Sequence, residues 1–173
     1  MRTDLALWTL EEPPNFRTEH MGSAVHAAQL AAEHARIRLM ISVEMIGYFS
    51  DAEGSQELPT GLGLFYPSKG NFIAVVGRWG QGAAIEEVAA AMRRGSPLPL
   101  EKLSAPAGMT GVDFSDHLNF WAHGYDAVMV TDTSFFRNAN YHTKGDTPAT
   151  LDYARLALTV RGLHCAIREL AGG

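Results

Sequence analysis

Glu11 and Glu12 close a short apolar run in "WTLEEPPNF" (8–16) and are followed at once by two prolines. Adjacent carboxylates can divide a task, one holding a metal ion while the other takes a proton from water. Glu44 lies inside the otherwise apolar "RLMISVEMIGYF" (38–49), where a carboxylate is costly unless it is paired or metal-bound. Asp132 ends "AVMVTD", and Tyr141 and His142 follow in "RNANYHTKGDT". A glutamate pair, a glutamate in a strand and a histidine flanked by tyrosine make an O, O, N donor set suited to zinc, with a general base beside it. Each also has a plainer reading. Neighbouring glutamates are commonly solvated, Glu44 can pair with an arginine, and His142 can bond a backbone carbonyl. His26 and His34 in the alanine-rich stretch, and His164 near the end, form no metal-binding spacing and read as packing or surface residues.

These residues matter only if the chain brings them together. Apolar runs predict strands at 5–10, 38–49, 71–79 and 125–133, with "LPLEKLSAP" as a short edge strand. Amphipathic or alanine-rich segments predict helices at 22–37 with Ser23 as N-cap, 82–95, 115–124 and 150–170. Thr150 is the expected cap of the last helix, with Asp152 in its first turn. Strands alternating with helices imply one α/β domain over 1–173, a three-layer sandwich with a mostly parallel mixed sheet. Ligands of such sheets bind at the carboxyl ends of the strands. The strands 5–10, 39–47, 71–77 and 126–132 are therefore expected to share one sheet, with Glu11, Glu12, Glu44 and His142 meeting at one end.

The 173 residues are 46% apolar, enough for a real core. The net charge of −5 comes with no basic stripe, which argues against nucleic acid as a partner. A lone Cys165 suits a reducing compartment, and there is neither a signal-type start nor an apolar run long enough to span a membrane. The expectation is a cytoplasmic protein without a membrane partner. No G-x-S-x-G occurs and Ser115 lacks a nucleophile-elbow context, so a serine hydrolase has no support.

Read together and in order, "LEEPPNFRTEHMGSAVHA", "VEMIGYFSD", "NFIAVVG" and "SDHLNFWAHGYDAVMVTDTSFFRNANYHTKGDTPATLDY" resemble the C-terminal half of zinc-dependent exopeptidases of the aminopeptidase, glutamate carboxypeptidase and glutaminyl cyclase-like type. The resemblance runs from residue 5 to 170. It implies that Glu11 is the general base, that Glu12, Glu44 and His142 are zinc ligands, and that the Tyr141 hydroxyl steadies the oxyanion. Asp116 and Phe120 fall in the motif segment that approaches the substrate, without a defined role. The family's other ligands, a His in an H-x-D motif and a bridging Asp, have no counterpart here. The expectation is a truncated or minimal metallohydrolase holding one zinc, two at most, or another divalent metal. It would cut a peptide, amide or activated ester or phosphoester bond in a small peptide or ester-like substrate, with weak and broad activity. The alternative is a catalytically impaired oligomeric fragment or scaffold with relic site residues. Loss of neighbouring strands would leave an uncovered edge, so a homo-oligomer is expected.

Overall fold

The computed structural model describes residues 2–59 and 61–172. Four strands form one sheet: β1 (Met40–Glu44), β2 (Ile73–Arg78), β3 (Leu100–Ala105) and β4 (Ala127–Thr131), in the order β1-β4-β2-β3. The β1–β4 and β2–β3 pairs are parallel and β2–β4 is antiparallel, so the sheet is mixed and mostly parallel.

Helices cover both faces. Against one face lie α2 (Gly82–Gly95) and α4 (Tyr153–Leu170), whose Val88, Met92, Leu163 and Ala166 pack on Ile73, Val75, Val128 and Val130. Against the other lie α1 (Gly22–Ala32) and α3 (His117–Ala122), where Ala27, Phe120 and Trp121 meet Met40, Ala74, Val76 and Met129. The expected three layers are present. Strands buried on both faces read as continuous apolar runs, which is why β2 and β4 stand out in the sequence.

Three local expectations need correction. Residues 5–10 are not a strand: no ladder takes up their backbone groups, and Leu5 and Leu7 face solvent, 89% and 102% exposed. Trp8 and Thr9 anchor the segment instead, the indole stacking near Phe120 and the Thr9 carbonyl accepting from Gly22 N–H. The first helix stops at Ala32 rather than running to 37, because His34 adopts φ 51° and the amides of His34 and Ala35 close back onto Ala31 and Leu30. That is a left-handed helix stop. Ser23 lies within the helix and accepts from Asn119, while Asp152, not Thr150, caps α4 by accepting from Arg155 N–H at 2.9 Å.

Register makes a row across all four strands. Glu44 pairs with Thr131, Thr131 with Ala74, and Ala74 with Glu101. The next row on the same face is Ser42, Met129, Val76 and Leu103. Among the described residues, no helix is long and apolar enough to cross a membrane.

Candidate active site

Each site residue sits where the backbone turns sharply. Leu10 (φ 63°) precedes the glutamate pair, Met45 (φ 45°) follows Glu44 at the end of β1, and His142 itself has φ 57°. Left-handed backbone at residues other than glycine costs of order 1–3 kcal/mol each and persists where surroundings enforce it, commonly at functional sites.

Glu12 and His142 are 130 residues apart in sequence, and both oxygens of the carboxylate lie 3.3 Å from His142 Nε2. Tyr141 stacks flat on the His142 ring, with centroids 3.9 Å apart, and Phe135 supports the tyrosine from its own side at 5.7 Å. The Tyr141 phenol is held protonated above its ordinary range, first by burial and then by the Glu12 charge. The Glu11 carboxyl is raised to about 7 by burial, then by the negative charges of Glu44, Glu12 and Asp116. That places a carboxyl close to neutrality, where a general base works best.

Glu44 belongs to the same charge cluster but is held differently. Its Oε2 accepts from Ser115 Oγ at 3.0 Å, and Ser115 Oγ in turn lies 2.7 Å from Ser42 Oγ on the same face of β1. Burial raises its pKa against that hydrogen bond, with Asp116 and Glu12 adding to the rise. No arginine pairs with it among the described residues, so the core ion-pair reading of Glu44 does not hold. Nor does His142 bond a backbone carbonyl; its partner is Glu12.

Asp132 turns inward. At 1% exposure it accepts from the amides of Gly47, Tyr48 and Ser134, fastening the turn after β1 to the turn after β4. Arg137 reinforces the same junction, donating to Gln56 Oε1 and to the carbonyls of Tyr48 and Phe72 while lying 4.6 Å over the Phe72 ring.

Sequence reasoning overlooked the roles of Ser42 and Ser115. The signal was the even spacing of Ser42 and Glu44 on one strand, which puts both on one face. It also left Asp116 without a role. That carboxyl is raised by burial, adds its charge to Glu11 and Glu44, and has a buried Oδ1 without a hydrogen-bond partner.

Zinc prefers carboxylate and imidazole donors of this kind. Glu12 and His142 fit in type, and so does a carboxylate cluster in which Glu44, Glu12 and Asp116 add to the burial that raises the Glu11 pKa. The number falls short. Among the described residues no group of three or more His, Cys, Asp or Glu side chains is arranged to hold a metal. Glu44 stands close enough to Glu12 to feel its charge, and Ser115 Oγ donates to one of its oxygens.

Beside these groups opens a cleft of about 230 Å³, floored by Glu44, Thr131, Ala74 and Glu101 and by Met129, Val76 and Leu103, and walled by Phe114, Phe135, Phe136 and the segment around Leu62 and Tyr66. Glu11, Glu12, Tyr141 and His142 stand at its rim.

The profile of peptidase family M28 matches residues 2–164. The chain belongs to peptidase family M28. An uncharacterised protein of Escherichia coli K12, YfbL, is 46% identical over 160 residues, covering 92% of this chain and 49% of that relative. Two solved structures agree in fold. The Legionella pneumophila LapA aminopeptidase superposes with a TM-score of 0.61 at 16% identity, over 87% of this chain and 35% of that one. A zinc aminopeptidase from Bacillus subtilis gives 0.57 at 17%, over 86% and 32%. The M28 chain described here thus spans about half the length of its curated relative and about a third of those structures.

Proposed function

We propose that the chain is a peptidase-type hydrolase in which Glu11 takes the proton from the water that attacks a peptide, amide or activated ester carbonyl. The observation that carries the reading is the meeting of Glu12 and His142, 130 residues apart, at the rim of the cleft beside Glu11 and Tyr141. Glu12 and His142 would hold one zinc ion or a similar divalent metal. Such an ion supplies a Lewis acid and a water acidic enough to ionise near neutral pH. Glu11 lies next to Glu12 in the chain and, with a pKa of about 7, can accept a proton and later return it to the leaving amine. The Tyr141 phenol, fixed by its stack on His142, can donate to the oxygen that gains negative charge. The Ser115 hydroxyl donates to Glu44 and favours its charged form, the form that would balance a bound cation from the β1 side.

A second reading, an impaired fragment with relic site residues, is favoured by the short donor count. The two are separated by assaying aminoacyl amides and activated esters with metal-free protein and again after zinc is added. Turnover that appears with zinc and vanishes with chelator supports the hydrolase. Zinc that binds without turnover of any of them supports the relic.

A further inference from the structure

The cleft has a direction that the rim residues do not explain. Its floor row runs Glu44, Thr131, Ala74, Glu101, so a carboxylate stands at each end with small or apolar side chains between. Three strand steps of about 4.8 Å put the two ends roughly 14 Å apart. The neighbouring row lines the cleft with the apolar Met129, Val76 and Leu103.

Glu101 is the unexplained end. It lines the cleft and is half-buried, yet no cation among the described residues pairs with it. Lys102, next in the chain, points to the opposite face and pairs with Glu86 of α2. The Tyr66 hydroxyl is already used in donating to the Lys102 carbonyl at 2.7 Å. A carboxylate bordering an apolar cleft is stabilised when a cation arrives.

Resting on the peptidase reading of the rim, we infer that the preferred substrate presents a side chain apolar along its length and cationic at its tip, a lysine-like residue whose ammonium meets Glu101. The stem lies over Ala74 and Leu103, and the bond to be cut lies at the rim beside Glu11. Ala74 sets the depth, since any larger side chain at that register position fills the middle of the floor.

The test reads binding, so it does not depend on turnover. The full chain is titrated, followed by NMR, with lysinamide, with norleucinamide (the same stem without the ammonium) and with alaninamide. Lysinamide should bind about three- to tenfold tighter than norleucinamide, the range of a half-exposed ion pair, and norleucinamide tighter than alaninamide. Glu101→Gln should erase the first difference and keep the second. Ala74→Leu should erase the second. Equal binding of lysinamide and norleucinamide, a preference that survives in Glu101→Gln, or no binding of any amide overturns the inference. A chain that shows this ranking but hydrolyses nothing retains the inference and loses the hydrolase reading. One that hydrolyses lysine and norleucine amides equally well does the reverse.

Discussion

Glu11 and Glu12 are neighbours with different surroundings, and that difference assigns their work. Glu12 reaches across to His142, while Glu11 is pressed towards neutrality by burial and by three other carboxylates. Glu12→Gln and His142→Ala should each lower zinc occupancy sharply, read by metal analysis of the purified variants, because each deletes one of very few donors. His117 gives a second test at this scale. It is fully buried, its Nε2–H donates to the Val112 carbonyl at 2.8 Å, and burial lowers its pKa from 6.5 to about 4. In that interval the unfolded chain binds a proton that the folded chain refuses, so stability is complete above pH 6.5 and falls as pH drops towards 4. The loss amounts to at most roughly 3 kcal/mol. His117→Gln, whose amide can still donate to Val112, should flatten the dependence of unfolding free energy on pH across that window. An unchanged slope in denaturant titrations would show that some other group titrates there.

Elements position these residues through close packing and register. Gly95 ends α2 against α4, and a Cβ there would stand 2.5 Å from Cys165 Cβ and 2.9 Å from the Arg161 carbonyl. Gly95→Ala should force the two helices apart and cost about 1–3 kcal/mol, seen as a lower urea midpoint. No shift would mean that the helices slide freely. Four of the five expected strands and all four helices were legible because burial on both faces leaves continuous apolar runs and one-sided burial leaves helical spacing. The segment 5–10 carries the same apolar signal, but a strand also needs a neighbour to pair with, and nothing in "LALWTL" states whether one exists. The stop at His34 depends on a backbone twist that an alanine-rich run does not announce. The glutamate pair, Glu44 and the Tyr141–His142 pair were legible by type and place. The hydrogen bond that holds Glu44 was not, because its donor is Ser115 Oγ, 71 residues away. The row joining Glu44 to Glu101 was also hidden, since it needs the order β1-β4-β2-β3 with one antiparallel pair.

At the scale of the whole molecule, β1 is an end strand whose outer edge is unpaired among the described residues. Val43 on it is 52% exposed, and Leu5 and Leu7 are exposed as well. Unpaired edges and exposed apolar side chains favour association. We therefore propose a homo-oligomer, a two-fold dimer in its simplest form. Sedimentation equilibrium at micromolar concentration should show it, and Val43→Lys with Leu7→Lys should shift it towards monomer. A wild-type chain that sediments as a monomer contradicts the proposal. A hydrolytic site within this chain stands or falls on Glu11 as its proton acceptor. The direct measurement compares amide hydrolysis by the wild type and by Glu11→Gln, with bound zinc determined on the same samples. The predicted result is a rate lower by about 10²–10⁴-fold at unchanged zinc content. Full activity in Glu11→Gln, together with a rate that chelator does not touch, would contradict it.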